Sequence, residues 1–358
     1  MSMNRLQQKL EKIGSDPKIA AKSVGLRYAV NAGSGIFRKG TKDRFYYIDD
    51  NGRKIRDKDT LDRIKKLVIP PAWQNVWISP YENGHLQVTG LDAKGRKQYR
   101  YHPNWNKIRN QSKFYRLRRF AHALPKIRAQ VDKDLNRPGM PYEKVLALVV
   151  KLIEMTNIRI GNDAYQKLYG SFGLTTLRDK HVKFDQSAAH FEFVGKKGVR
   201  HKISLNSRKL ARLVRQCKEI PGQELFQYYD DDGAHRSIGS ADVNHYLKEI
   251  TQEDFTAKDF RCWAGSVTAL HEFQQAEPPQ TVTEARRKIV EVLDGVSSKL
   301  GNTRTVCKKY YVHPTVIAAY ENGRIWDYKL DDKISELNPE EEALVNLLEH
   351  EKIAQVVV

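Results

Sequence analysis

The sequence predicts an α+β protein: a small β-rich N-terminal domain followed by a larger, mainly α-helical domain that carries a small antiparallel sheet. Three observations point there. Turn residues punctuate short extended runs through the first third of the chain. From about residue 110 the apolar residues fall instead on the helical period of about 3.6. The length of 358 residues corresponds to about two domains, at roughly 100 to 200 residues each. We expect the boundaries at 1–108 and 109–358.

In the first domain, RFYYIDDNGRKI places an Asn51-Gly52 pair between extended runs, a strong short-range hairpin signal. Asp59 to Val68 reads as a short helix stopped by Pro70-Pro71, and strands follow around NVWISP, GHLQVTG and GRKQYRYH. In the second, the basic stretch SKFYRLRRFAHALPKIRAQV is helical and DLNRPGMP is a loop. Pro141 opens a helix whose Val145, Leu146, Leu148, Val149, Leu152 and Ile153 keep the helical period and mark it as core. A helix over 162–169 precedes KHVKFDQSAAHFEFVGKKGVRHKISL, which alternates and turns like a three-stranded antiparallel patch, Gly195 and Gly198 bracketing its second turn. Gly301 ends a long amphipathic helix, a short helical stretch runs on toward Pro314, and Asn338-Pro339 opens the last helix. The chain shows no internal repeat.

Composition narrows the function. Lys and Arg number 62 against 43 Asp and Glu, a net charge of +19, so a polyanion is the natural partner. Cys217, Cys262 and Cys307 form no C-x-x-C pair, which argues against a disulfide framework or a zinc site and points to a reducing compartment. The first residues are charged throughout and lack a secretory apolar stretch, and no run reaches membrane-spanning length. Histidines lack H-E-x-x-H or H-x-x-x-H spacing and no G-x-x-x-x-G-K-[ST] loop is present. We expect no cofactor, no metal and no membrane.

Several segments hold candidate chemistry. FTAKDFRCWAGSVTALHEF begins with Thr256 three residues before Asp259, a capping box, so Arg261 lies in the first turns of a helix, where N–H groups and dipole favour a phosphate. A surface arginine is the plain alternative. Arg159, in NIRIGNDAY, sits between apolar Ile158 and Ile160, so it needs an anion, and an internal salt bridge would serve as well as a substrate. Lys196 is on the tip of the HFEFVGKKGVRHKI hairpin, where its titratable ammonium could protonate a leaving alkoxide or merely guard a sheet edge. SKLGNTRTVCKKYYVHPTV offers adjacent Tyr310 and Tyr311, which spacing alone does not separate from each other or from packed aromatics. KGRKQYRYH interleaves bases and aromatics as a DNA-facing strand would; strict alternation puts Tyr99 and Tyr101 on one face and Gln98 on the other.

Taken in order, IPPAW, TGLDAKGRKQYRYHP, IRIGN, FVGKKGVRH, KDFRCWAG and LGNTRTVCKKYYVHP resemble the type IB DNA topoisomerases of the bacterial and poxviral kind, from roughly residue 25 to residue 320. The resemblance implies a nucleophilic tyrosine at Tyr311, paired arginines at Arg159 and Arg261, and a general-acid lysine at Lys196. It puts Asn302 where poxviral enzymes carry histidine and bacterial ones asparagine. It further implies DNA contacts from Gln98, Tyr99, Tyr101 and Lys94 in the smaller domain and from Tyr165 in the larger. The implied activity is relaxation of supercoiled double-stranded DNA through a 3′-phosphotyrosyl bond, by a monomer that clamps the duplex in the cytoplasm at the nucleoid.

Two other readings remain at this stage. A tyrosine site-specific recombinase uses a similar set of residues, but its second arginine box usually reads His-x-x-Arg where this chain has Lys258-x-x-Arg261. A non-catalytic basic DNA-binding protein would account for the charge but not for five ordered catalytic candidates.

Overall fold

The computed structural model describes residues 12–14, 16–29, 34–41, 44–93, 95, 97–329 and 336–351, without the side chains of 110–113, 115, 164 and 165. Lys94 lies outside the described residues, as does the side chain of Tyr165. The chain folds as two compact units, one up to Arg116 and one from Leu117.

The first unit is built on five antiparallel strands, β1 (Ile36–Lys39), β2 (Tyr46–Ile48), β3 (Gln74–Ile78), β4 (Leu86–Leu91) and β5 (Lys97–Tyr101), in the order β2-β1-β3-β4-β5. Helices α1 (Pro17–Ser23), α2 (Lys58–Lys66) and α3 (Pro103–Tyr115) accompany them. Ile36, Val76, Ile78 and Val88 from the sheet close over Ile64 of α2 as one apolar core. Asp57 caps α2 by accepting from the Thr60 N–H at 2.8 Å, and Pro70-Pro71 follows its end as expected.

The Asn51-Gly52 turn forms, with Gly52 at φ +75° and the Asp49 carboxylate accepting from the N–H groups of Asn51 and Arg53. Its second arm contributes only the single bridge Ile48↔Lys54. The true partner of β2 is β1, which the sequence reading did not identify. β1 is four residues long and half basic, so it offers no clear alternation. Arg38 of β1 also fixes the IPPAW segment, donating to the carbonyls of Pro70 at 3.2 Å and Trp73 at 2.5 Å.

The second unit contains α4 (Leu117–Leu135), α5 (Tyr142–Thr156), α6 (Asp163–Tyr169), a three-stranded sheet of β6 (Val182–Phe184), β7 (Ala189–Val194) and β8 (Arg200–Leu205), and α7 (Arg208–Lys218). A hairpin of β9 (Gln227–Tyr229) and β10 (His235–Ser237) follows, then α8 (Ser240–Thr251), α9 (Ala257–Gln275), α10 (Val282–Leu300), α11 (Arg304–Tyr310), α12 (Pro314–Glu321) and α13 (Pro339–His350). The β9–β10 hairpin is absent from the sequence reading. Its strands are three residues each and β10 is exposed throughout, so no hydrophobic period marks it.

Helix α5 is the centre of this unit. Val145 to Val150, Leu152 and Ile153 are all buried, so the apolar stripe read from sequence extends around the whole helix, as happens when neighbours cover every side. Those neighbours include α4, α8 and α9. Around this core, Arg128 of α4 joins four helices: it pairs with Glu154 of α5 at 2.7 Å and bidentately with Glu341 of α13, which also accepts from Trp263 Nε1 of α9 at 2.9 Å. Burial would raise the Glu341 pKa, but the hydrogen bonds from Arg128 and Trp263 hold it below its ordinary value.

Leu148 is fully buried at the middle of α5. Leu148→Ala is expected to destabilise the protein by about 2–5 kcal/mol, the usual range for such a truncation, read as a lower denaturant midpoint.

Candidate active site

The site is assembled from helix ends. Helix α5 stops at Asn157, which turns left-handed (φ 56°, ψ 18°) and donates its N–H to Ile153 at 3.0 Å. The chain leaves as Ile158-Arg159-Ile160-Gly161, and the 173–175 segment seals its other side: Leu174 N donates to Arg159 O at 2.9 Å and Thr175 N to Ile160 O at 2.7 Å. A Cβ on Gly173 would lie 2.5 Å from both Arg159 O and Gly161 N, so only glycine admits this approach. The Arg159 backbone is thereby fixed before its side chain contacts anything.

Helix α9 supplies the second arginine. Asp259 accepts from the Thr256 N–H at 2.8 Å and from its hydroxyl at 2.9 Å, fixing the first turn. Arg261 is 4% exposed, which corrects the surface-arginine alternative. Its Nη1 donates to Asn157 O, and its Nη2 to Leu300 O at 2.7 Å. Both acceptors are carbonyls at helix C-termini, which lack intrahelical partners and carry the negative end of the dipole. Its Nε is buried with no hydrogen-bond partner.

Arg159 approaches the same place. Its Nη2 donates to Gly301 O at 3.2 Å and to Asn302 Oδ1 at 2.5 Å, where Gly301 caps α10 at φ 57°. Burial, then the Arg261 charge, lowers the Arg159 pKa, with Tyr311 pulling the other way. Among the described residues, no carboxylate pairs with Arg159 or Arg261. The internal salt bridge weighed for Arg159 does not form.

Tyr311 follows the last turn of α11, its N–H donating to Cys307 O at 2.9 Å, and its ring lies 5.1 Å from the Arg261 guanidinium carbon. Helix α9 fixes its backbone too. The Ser266 hydroxyl lies 3.2 Å from Tyr311 O and accepts the His313 N–H at 3.0 Å, while a Cβ on Gly265 would come within 2.9 Å of Tyr311 O. His313, 2% exposed, caps α12 by accepting from the Thr315 N–H at 3.1 Å, and burial pushes its pKa down to about 3.

Lys196 projects from the β7–β8 turn, where Lys197 (φ 63°) and Gly198 (φ 77°) are both left-handed. It lines a cavity of about 360 Å³ together with Arg159, Lys258, Arg261 and Tyr311. An adjoining cavity of about 730 Å³ is lined by Arg159, Lys196, Lys258, His201, Asn302 and Tyr311, among others. The five expected residues therefore line two cavities that share Arg159, Lys196 and Tyr311, with Arg261 in the first and Asn302 in the second. Lys258 and His201 belong to the second lining; from sequence Lys258 was noted only for standing where recombinases carry histidine, and His201, inside a quoted motif, had no signal to separate it from a solvated neighbour.

In the first unit, Tyr99 and Tyr101 share a face of β5, their rings stacked 6.0 Å apart, with Lys97 near one and Arg109 near the other. The Gln98 amide donates to Asp92 at 2.8 Å. The irregularity in β4–β5 pairing falls between Leu86 and Val88, away from Gln98, which pairs regularly with Gly90.

Comparison with known proteins identifies the family. Residues 102–337 match the family described as eukaryotic DNA topoisomerase I, catalytic core, and 44–92 match the bacterial DNA topoisomerase IB, N-terminal domain. The chain belongs to the type IB DNA topoisomerase family. It is 32% identical over 310 residues to DNA topoisomerase 1B of Acanthamoeba polyphaga mimivirus, covering 84% of this chain and 92% of that one. It is 23% identical over 244 residues to DNA topoisomerase 1B of vaccinia virus (strain Copenhagen), covering 68% and 74%. As a type IB topoisomerase it is an isomerase that acts on DNA, and the matched catalytic core spans Arg159 through Tyr311. No helix among the described residues is long and apolar enough to cross a membrane.

The buried cap makes one pH effect predictable. His313 is held neutral in the fold, with its pKa lowered from 6.5 to about 3. Between those values the unfolded chain binds the extra proton, so this contribution to stability is full above pH 6.5 and lost as pH falls toward 3. His313→Asn retains a cap acceptor and should show a shallower fall of Tm than the parent on acidification through that window.

Proposed function

We propose that Tyr311 is the nucleophile of this type IB topoisomerase. The observation that carries the reading is a pair of guanidiniums beside one tyrosine with which, among the described residues, no carboxylate pairs. A buried cation without a counterion is costly. The phosphodiester of bound DNA would supply the missing anion.

In cleavage the Tyr311 Oη–P bond forms, the P–O5′ bond breaks, and the DNA 3′ phosphate stays on the enzyme. Arg159 and Arg261 bind the nonbridging oxygens as charge builds on them. Asn302 assists: its Oδ1 is occupied by Arg159, which orients the amide so that Nδ2 has an N–H to offer the phosphate. A neutral phenol is a weak nucleophile, and the attack is helped by the Arg261 guanidinium that stands 5.1 Å from the Tyr311 ring and is placed to take up the charge that develops. Lys196 donates the proton that the departing 5′ oxygen takes up, and removes it again when the 5′ hydroxyl attacks in reverse. One phosphodiester is exchanged for another, so resealing needs no nucleotide.

For DNA binding, we assign the Tyr99 and Tyr101 face of β5 to the duplex, with Lys94 and Tyr165 as further contacts. Gln98, the remaining assigned contact, stands on the opposite side of the strand with its amide on Asp92. A monomer clamping the duplex, at the nucleoid in the cytoplasm, fits the two-unit organisation and the net charge of +19.

The test is relaxation of supercoiled plasmid in EDTA without ATP, stopped with detergent to trap protein on nicked DNA. Parent enzyme relaxes the plasmid and gives the covalent species. Tyr311→Phe gives neither; relaxation by that variant, or a Mg²⁺ requirement in the parent, would overturn the assignment. Arg159→Ala and Arg261→Ala should each slow single-turnover cleavage by roughly a hundredfold to a thousandfold, the usual loss of one preorganised donor.

The binding reading has its own measurement. Phosphate contacts release counterions, so affinity for duplex DNA should fall steeply and linearly on a log–log salt plot. A flat plot would count against a phosphate-dominated interface.

A further inference from the structure

We propose that His201 is a positioning residue that fixes the turn carrying Lys196 against the turn carrying Asn302. The inference rests on the reading of Lys196 as proton donor.

His201 is in β8, directly opposite Phe193 of β7, and its ring stacks on that phenyl at 5.0 Å with planes 20° apart. From there the imidazole edge reaches two glycines that belong to different parts of the site. One is Gly195, immediately before Lys196. A Cβ placed on Gly195 would lie 2.7 Å from both Cδ2 and Nε2 of the ring. The other is Gly301, immediately before Asn302 and itself an acceptor for Arg159, where an added Cβ would collide with Cε1. The ring therefore fills the gap between the two turns.

The backbone at Gly195 isolates the cause. Its φ of −94° and ψ of −165° are open to any residue, so His201 is what excludes a side chain there. At Gly301 the left-handed φ of 57° would favour glycine in any case.

Chemistry supplies the need for such a wedge. Lys196 sits on a flexible four-carbon stem, on a turn in which two successive residues are left-handed. A proton donor works only within hydrogen-bond reach of the leaving oxygen. The ring sets how far that turn stands from Arg159 and Asn302, which would hold the phosphate. Burial, then the charges of Arg159 and Arg261, lowers the His201 pKa, so the wedge adds no third cation beside the arginine pair.

The experiment compares single-turnover cleavage of two duplexes, one with the ordinary 5′ oxygen and one with bridging sulfur at that position. Sulfur leaves as thiolate without needing a proton, since a thiol has a pKa of about 8.5. His201→Ala should slow cleavage of the oxygen substrate by roughly tenfold to a hundredfold, the scale of a small misplacement, and leave the sulfur substrate close to the parent rate. His201→Phe, which keeps a stacked ring, should recover most of that loss.

Gly195→Ala forces the turn away from the ring and should show the same oxygen-selective defect. Combined with His201→Ala it should be no slower than His201→Ala alone, because both changes act on one contact. Equal slowing of both substrates by His201→Ala or Gly195→Ala, or additive losses in the double variant, would overturn the proposal. Should His201→Ala fail to fold, the oxygen-to-sulfur ratio of Gly195→Ala decides by itself. Lys196→Ala is the reference: if sulfur does not rescue it, the proton-donor reading fails independently of His201.

Discussion

Two guanidiniums held close together with, among the described residues, no carboxylate paired to either is the constraint on which the rest of this structure depends. Arg159 and Arg261 repel each other; Arg261 is buried and Arg159 partly so. Their partners are neutral carbonyls and one amide oxygen: Asn157, Leu300, Gly301 and Asn302. A carboxylate would satisfy the pair better and occupy the place proposed for the phosphate. Helix ends offer an intermediate solution, partial negative charge that steadies a cation while leaving its net charge intact. That choice requires the C-termini of α5 and α10 to converge on one helix's first turn, and it accounts for Asn157 and Gly301 both leaving their helices in the left-handed conformation.

Helix α9 connects this charge to the tyrosine. Its residues 261 to 266 serve three purposes within two turns. Arg261 faces the cavity, Trp263 reaches the Arg128–Glu154–Glu341 cluster, and Gly265-Ser266 receives the Tyr311 backbone. A helix tied by the Trp263–Glu341 hydrogen bond to the ion-paired cluster of α4, α5 and α13 is a rigid base for a site whose elements would otherwise part. The cluster's free-energy contribution matters less than its geometry, since buried ion pairs often only break even against desolvation.

What the sequence revealed divides along physical lines. Helix starts and stops were legible because caps are local: Thr256 with Asp259, Asn338 before Pro339 and Gly301 at a helix end act within a few residues. The turn bearing Lys196 was legible from its two glycines. The burial of Arg261 was not, because its partners are 104 and 39 residues distant in sequence. Tyr310 and Tyr311 were inseparable by spacing because α11 ends between them, so helical phase assigns a face to the first and none to the second. The resemblance preferred Tyr311, and the fold sets that ring against Arg261. Strands β1, β9 and β10 escaped notice for want of length, and His201 because its role depends on two glycines that are neighbours only in space.

The anchoring of Tyr311 by Gly265 and Ser266 carries a mechanical consequence. A swivel needs one gripped end and one loose one. With Tyr311 as the point of attachment, the 3′ end of the cut strand would be bolted, through a single ring, to a backbone that packs directly against α9 and continues into the capped start of α12. That anchorage yields little to torque. The turning would then fall to the DNA beyond the nick, with friction set by whatever surrounds the freed 5′ segment, and the bolted end would keep its phosphorus within reach of the returning hydroxyl after any number of turns.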